Sequence, residues 1–166
     1  NRSTHKKCDD RTLMGMRRGE NEVTFPPYDA KQATELITCL REMAPYVIID
    51  CGSYIANDIL SAIALMEADA VLRLVNCDLK SISYLSSQLP LLRDNKWDAD
   101  KQYKVASNIK LNEASAHVEQ VLGSVTFTLP YCAEMAAQRL AGDLRAGLSL
   151  RDSRGIGKEV EASSRA

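Results

Sequence analysis

Pro45-Tyr46-Val47-Ile48-Ile49-Asp50-Cys51-Gly52-Ser53 is the stretch on which the reading of this chain turns. Three β-branched apolar residues run into an aspartate, and a small residue, a glycine and a serine follow. An unbroken apolar run of this kind predicts a strand buried on both faces, as in a parallel sheet covered by helices. An aspartate at the carboxyl end of such a strand stands where open α/β sheets put their ligands. There Asp50 has two readings: an acid that holds Mg²⁺ through water beside a phosphate, or the cap of the next helix. Gly52 allows the sharp turn, or the close approach of a ligand, that either reading needs.

Working outward, the pattern before the strand is helical. Ala33, Leu36, Ile37, Leu40 and Met43 recur at helical spacing, with Asp29 as N-cap and Pro45 as the stop. Residues 1–22 show no period and are read as an irregular or partly mobile segment, and Val23-Thr24-Phe25 as a short strand ended by Pro26 and Pro27. Beyond Ser53, Ile55, Ile59, Ile63 and Met66 form a helical stripe with Leu60 beside it. A strand over 70–75 follows, with Arg73 as its odd member. Asn76-Cys77-Asp78 closes it, and Asp78 is placed to cap a helix carrying Leu79, Ile82, Leu85, Leu89 and Leu92, kinked or stopped by Pro90.

Tyr103 to Asn108 reads as a third strand, Glu113 to Leu122 as a short helix stopped by Gly123, and Val125 to Leu129 as a fourth strand broken by Pro130. Ala133 to Ala141 is a helix ended by Gly142, and residues 151–166 are read as a frayed tail. Strand and helix alternate, so the fold class is α/β: a mostly parallel sheet wrapped by helices, one domain over 23–150.

Composition narrows the function classes. The chain has 166 residues, 45% of them hydrophobic and 26% charged, as in ordinary globular proteins. It contains no run of about 18 apolar residues and no signal-peptide pattern. Net charge is −1, with six Lys/Arg against four acids in residues 1–22 and again in 139–166. The five cysteines form no CxxC pair and the two histidines are far apart, so the spacing of a structural metal site is absent. Cysteines set in apolar stretches suit reduced thiols in a cytoplasmic protein. No G-x-S-x-G elbow surrounds a serine, and Cys51 has no histidine near it in sequence. Trp97, among acids and lysines, reads as a surface anchor for a partner or a lid over the sheet edge.

From Tyr28 to Gly142 the order of motifs resembles the MinD/ParA group of ATPases, the deviant Walker A branch of the P-loop NTPases. It is most similar there to the CpaE/TadZ-like proteins that localise pilus assembly. YVIIDCGS (46–53) resembles the Walker B strand and its switch glycine, which implies Asp50 as the Mg²⁺-side acid, through water, and Gly52 as a backbone sensor of phosphate. ADAVLRLVNCDLKSI (68–82) is similar to the strand and helix that follow. VASNIK (105–110) resembles the segment whose strand-end Asn, here Asn108, meets adenine; taken without the resemblance, Asn108 reads as the close of a turn. LPYCAEMAAQRLAG (129–142) resembles the segment in which Pro130, Tyr131 and Cys132 would line the nucleotide, although Cys132 stands where an aspartate is common and Gln138 replaces a small residue.

The resemblance implies ATP and Mg²⁺ as cofactors, a homodimer, and protein partners in an assembly or partitioning system. Nonspecific DNA or a membrane surface is a further partner that it allows. It implies a cytoplasmic location, polar or peripheral to the inner face of the membrane. Against it stands one absence: no G-x-x-x-x-G-K-[ST] loop, nor its deviant form, occurs in these residues. Gly155-Ile156-Gly157-Lys158 is an echo followed by Glu159 and preceded by no strand. The P-loop segment is therefore expected to be missing from the N-terminal side, with weak or no ATP turnover by this chain. Two alternatives accompany this reading. One is a plasmid- or mobile-element-partitioning ATPase with its N-terminal half not included. The other is a receiver-like or adaptor domain that docks partners without nucleotide.

Overall fold

The computed structural model describes residues 4–8, 11–16, 19–20, 23, 27, 29–52, 55, 58–92, 99–110, 116–143 and 147–149. The chain divides into two compact units, Asn1–Ala64 and Leu65–Ala166.

In the N-terminal unit, β1 (Thr4–Cys8) and β2 (Arg11–Gly15) pair antiparallel, Thr4 opposite Gly15 and Cys8 opposite Arg11. A hairpin thus occupies a stretch whose sequence shows no period and was expected to be irregular. Val23 lies in a turn and is exposed, and the rest of the short strand expected there falls outside the described residues.

Helix α1 (Ala30–Met43) forms as its pattern requires. The Asp29 carboxylate accepts from the Gln32 N–H at 2.7 Å, and the Gln32 side chain accepts from the Asp29 N–H at 3.1 Å, a reciprocal capping box. Ala33 and Ile37 are its buried residues. After Pro45 the expected buried strand is absent. Tyr46–Asp50 joins neither sheet among the described residues, and Ile48 is 96% exposed. An apolar run supplies side chains for a sheet interior, but only a neighbouring backbone makes it a strand, and no described segment pairs with this one.

Helix α2 (Ile59–Glu67) carries the boundary between the units. Its buried residues are Ser61 and Ala64, while Ile59 and Met66 of the expected stripe are exposed. Apolar residues on every side of this helix leave its sequence without a marked face.

The C-terminal unit carries the parallel sheet. Its strands are β3 (Val71–Asn76), β4 (Gln102–Ile109) and β5 (Phe127–Pro130), adjacent in that order. The crossovers contain α3 (Leu79–Leu92) and α4 (Ala116–Leu122), and α5 (Ala133–Ala141) follows β5. Parallel neighbours need such long connections, which is why strand and helix alternate. Helix α3 runs past Pro90 to Leu92, further than the proline suggested. Gly142 ends α5 in the left-handed region at φ 73°, where its N–H and that of Asp143 return to the carbonyls of Arg139 and Gln138.

Val75 of β3, Ile82 of α3 and Val118 of α4 form the buried cluster, with Cys77, Leu85 and Val125 packed against it. The opposite face of β3 is open: Leu72 and Leu74 are exposed. No helix among the described residues is long and apolar enough to cross a membrane.

Candidate functional site

Parallel strands all end on one side of their sheet, so the residues that close β3, β4 and β5 share an edge. On β3 this residue is Asn76, on β4 Ile109 with Ser107 and Asn108 just before it, and on β5 Pro130, followed by Tyr131 and Cys132. Register brings them together. Asn76 lies opposite Ser107, and Ile109 lies opposite Pro130. The Tyr131 N–H continues this pairing, donating to the Ile109 carbonyl at 2.8 Å.

Between Ala106 and Ile109 the β4–β5 register shifts. Ala106 faces Thr128 and Ile109 faces Pro130, so Ser107 and Asn108 stand against Leu129 alone. This is a one-residue bulge, and Asn108 takes φ 57°, the one described residue other than glycine with a positive φ. Asparagine tolerates the left-handed region better than most residues, yet a strained position at a strand end is a recurrent mark of function. The bulge presents the exposed Asn108 carboxamide at the edge of the sheet.

A polar network holds that side chain. Asn108 Nδ2 donates to Asn76 Oδ1 at 2.8 Å, and Ser107 Oγ donates to the same oxygen at 2.9 Å. On the neighbouring strand, the Cys132 sulfur caps α5, accepting from the Met135 N–H at 3.3 Å. Cys132 therefore fills, as an acceptor, the capping role an aspartate would fill. Asp78 caps α3: its two carboxylate oxygens accept from the Ser81 N–H and hydroxyl, each at 2.8 Å. These bonds, the backbone one foremost, hold its carboxyl below the usual aspartate range.

Asp50 and Gly52 stand together in the N-terminal unit. Asp50 Oδ1 accepts from the Gly52 N–H at 3.1 Å, and Gly52 takes φ 59°, a tight turn that glycine adopts without penalty. Both residues are exposed. Nearby, the buried Ser61 hydroxyl bonds to the Cys51 carbonyl at 2.9 Å and to the Asp58 carboxylate. Burial pushes the Cys51 thiol up, the Asp58 and Asp50 charges add to this, and the Ser61 hydrogen bond opposes it. A thiol held in its neutral form is a poor nucleophile.

The chemistry available follows from these groups. A carboxamide fixed at a sheet edge offers a donor and an acceptor side by side, the complement of a purine edge. For Mg²⁺ the fit is poorer. Among the described residues no three His, Cys, Asp or Glu side chains gather to hold a metal ion. Asp50 alone is a single exposed carboxylate, already accepting one hydrogen bond. Gly155–Lys158 and Trp97 fall outside the described residues. Sequence reasoning missed Asn76. Its signal is a polar residue one strand away from Asn108 and 32 positions earlier, which only the strand register connects.

Comparison with protein-family models, with curated proteins and with solved structures finds no match to this chain.

Proposed function

We propose that the chain belongs to a MinD/ParA-like positioning or assembly protein with a P-loop NTPase-like, three-layer fold, and that Asn108 contributes its contact to adenine. The observation that carries this reading is the strained, bulged Asn108 carboxamide at the carboxyl edge of a parallel sheet, beside Pro130 and Tyr131. Open α/β sheets bind ligands along that edge, and a side-chain amide matches adenine in both hydrogen-bonding senses. The motif order described above supplies the rest: a cytoplasmic dimer whose nucleotide state selects a protein partner, in pilus or secretion assembly. No Walker A loop occurs in the sequence, so the proposal is nucleotide binding that is weak, with little or no turnover.

Calorimetry with ATP and Mg²⁺ tests it. Saturable binding is expected, and Asn108→Gly, which suits φ 57° while deleting the amide, should weaken it by about tenfold or more. Equal affinity in the two proteins would overturn the adenine contact. Steady hydrolysis by wild type would overturn the claim of little turnover and favour an active partitioning ATPase. That alternative also requires salt-sensitive binding to nonspecific DNA.

A further inference from the structure

We infer that Asn76 is the positioning residue that fixes the polarity of the Asn108 carboxamide, and so decides between adenine and a 6-oxopurine. The inference rests on the adenine reading of Asn108. A carboxamide is nearly symmetric in shape but not in hydrogen bonding, and rotation by half a turn exchanges its donor and acceptor. Adenine presents an amino donor beside a ring-nitrogen acceptor. Hypoxanthine reverses both: its 6-oxygen accepts and its ring N–H donates. An amide free to rotate would meet either base in the same pose, at little cost in affinity.

Asn76 removes that freedom. Its Oδ1 accepts the Asn108 Nδ2 proton at 2.8 Å, so the nitrogen of Asn108 is turned toward β3 and the oxygen away from it. Half a turn would set two carbonyl oxygens against each other, an unfavourable contact with no proton between them. Ser107 biases the arrangement: its hydroxyl donates to the same Oδ1 at 2.9 Å, a shorter bond than the 3.5 Å one to the Val75 carbonyl that it would keep if the Asn76 amide were reversed. Asn76 is itself placed by the β3–β4 register opposite Ser107. The bulge aims the amide, and Asn76 sets which way round it sits.

The test compares wild type, Asn76→Ala and Asn76→Asp, using ATP and inosine triphosphate as the two probes. The aspartate keeps an acceptor for both Ser107 and Asn108, so it should behave as wild type. Wild type and Asn76→Asp should favour ATP over inosine triphosphate by about tenfold or more, and Asn76→Ala should bring the two within about threefold, chiefly by admitting the inosine nucleotide. An independent readout is the Asn108 side-chain amide in a nitrogen–proton NMR spectrum without nucleotide. One of its protons should exchange slowly with solvent in wild type and Asn76→Asp, and quickly in Asn76→Ala. An unchanged ATP preference in Asn76→Ala, or an amide proton that stays protected in it, overturns the role of Asn76 while the nucleotide reading stands. Failure of wild type to bind either probe overturns the nucleotide reading and the specificity role together. A protected amide in wild type would then mark the network as structural only.

Discussion

Asn76 and Asp78 are two positions apart, yet one serves the sheet edge and the other a helix start. Asp78 was legible in the sequence because capping is local: its partner Ser81 is three residues away. Asn76 was not, because its partners Ser107 and Asn108 lie 31 and 32 residues on. The Asp78 cap gives a pH prediction. Its folded pKa is depressed, so its contribution is complete above the unfolded value and is lost as pH falls through the folded one. The stability gap between wild type and Asp78→Ala, measured in urea, should be constant above about pH 5 and close steadily below the usual carboxylate range.

At the scale of elements, α1 and α5, each with a cap or breaker at both ends, were read correctly. Helix α5 matches its expected bounds, Ala133–Ala141, because Pro130 precedes it and Gly142 stops it. Strand β3 was recognisable from a β-branched and leucine-rich run closed by Asn76. The bulge in β4 was not, since register belongs to a pair of strands and neither sequence alone contains it. The covered face of β3 rests on α3 and α4 through Val75, Ile82 and Val118. Ile82 is 6% exposed, so Ile82→Ala should cost about 2–4 kcal/mol in chemical denaturation. A loss under about 0.5 kcal/mol, the scale of a surface change, would mean that this cluster is not the core of the unit.

Over the whole molecule, the apolar residues are not all spent on interiors. Tyr46 and Ile48 in the N-terminal unit, and Leu72 and Leu74 in the C-terminal one, are exposed. The unbroken apolar run pointed to a hidden strand over Tyr46–Asp50, because a run of this kind carries no mark of whether a ladder partner exists. The two arrangements differ sharply in one measurement. With Ile48 at 96% exposure, Ile48→Lys should leave stability within about 0.5 kcal/mol of wild type. In a doubly covered strand the same change would bury an unpaired charge and cost several kcal/mol.

The single extra residue in β4 has a genetic corollary. Removing Asn108 by an in-frame codon deletion would leave Ala106 against Thr128, bring Ser107 against Leu129, and keep Ile109 against Pro130. The ladder would become regular, and the strained φ of 57° would vanish with the residue that holds it. Such a shortened chain should fold with the same helical and sheet content by circular dichroism, and melt no earlier than its parent. One lost codon would thus remove the Asn108 carboxamide from the sheet edge while sparing the scaffold.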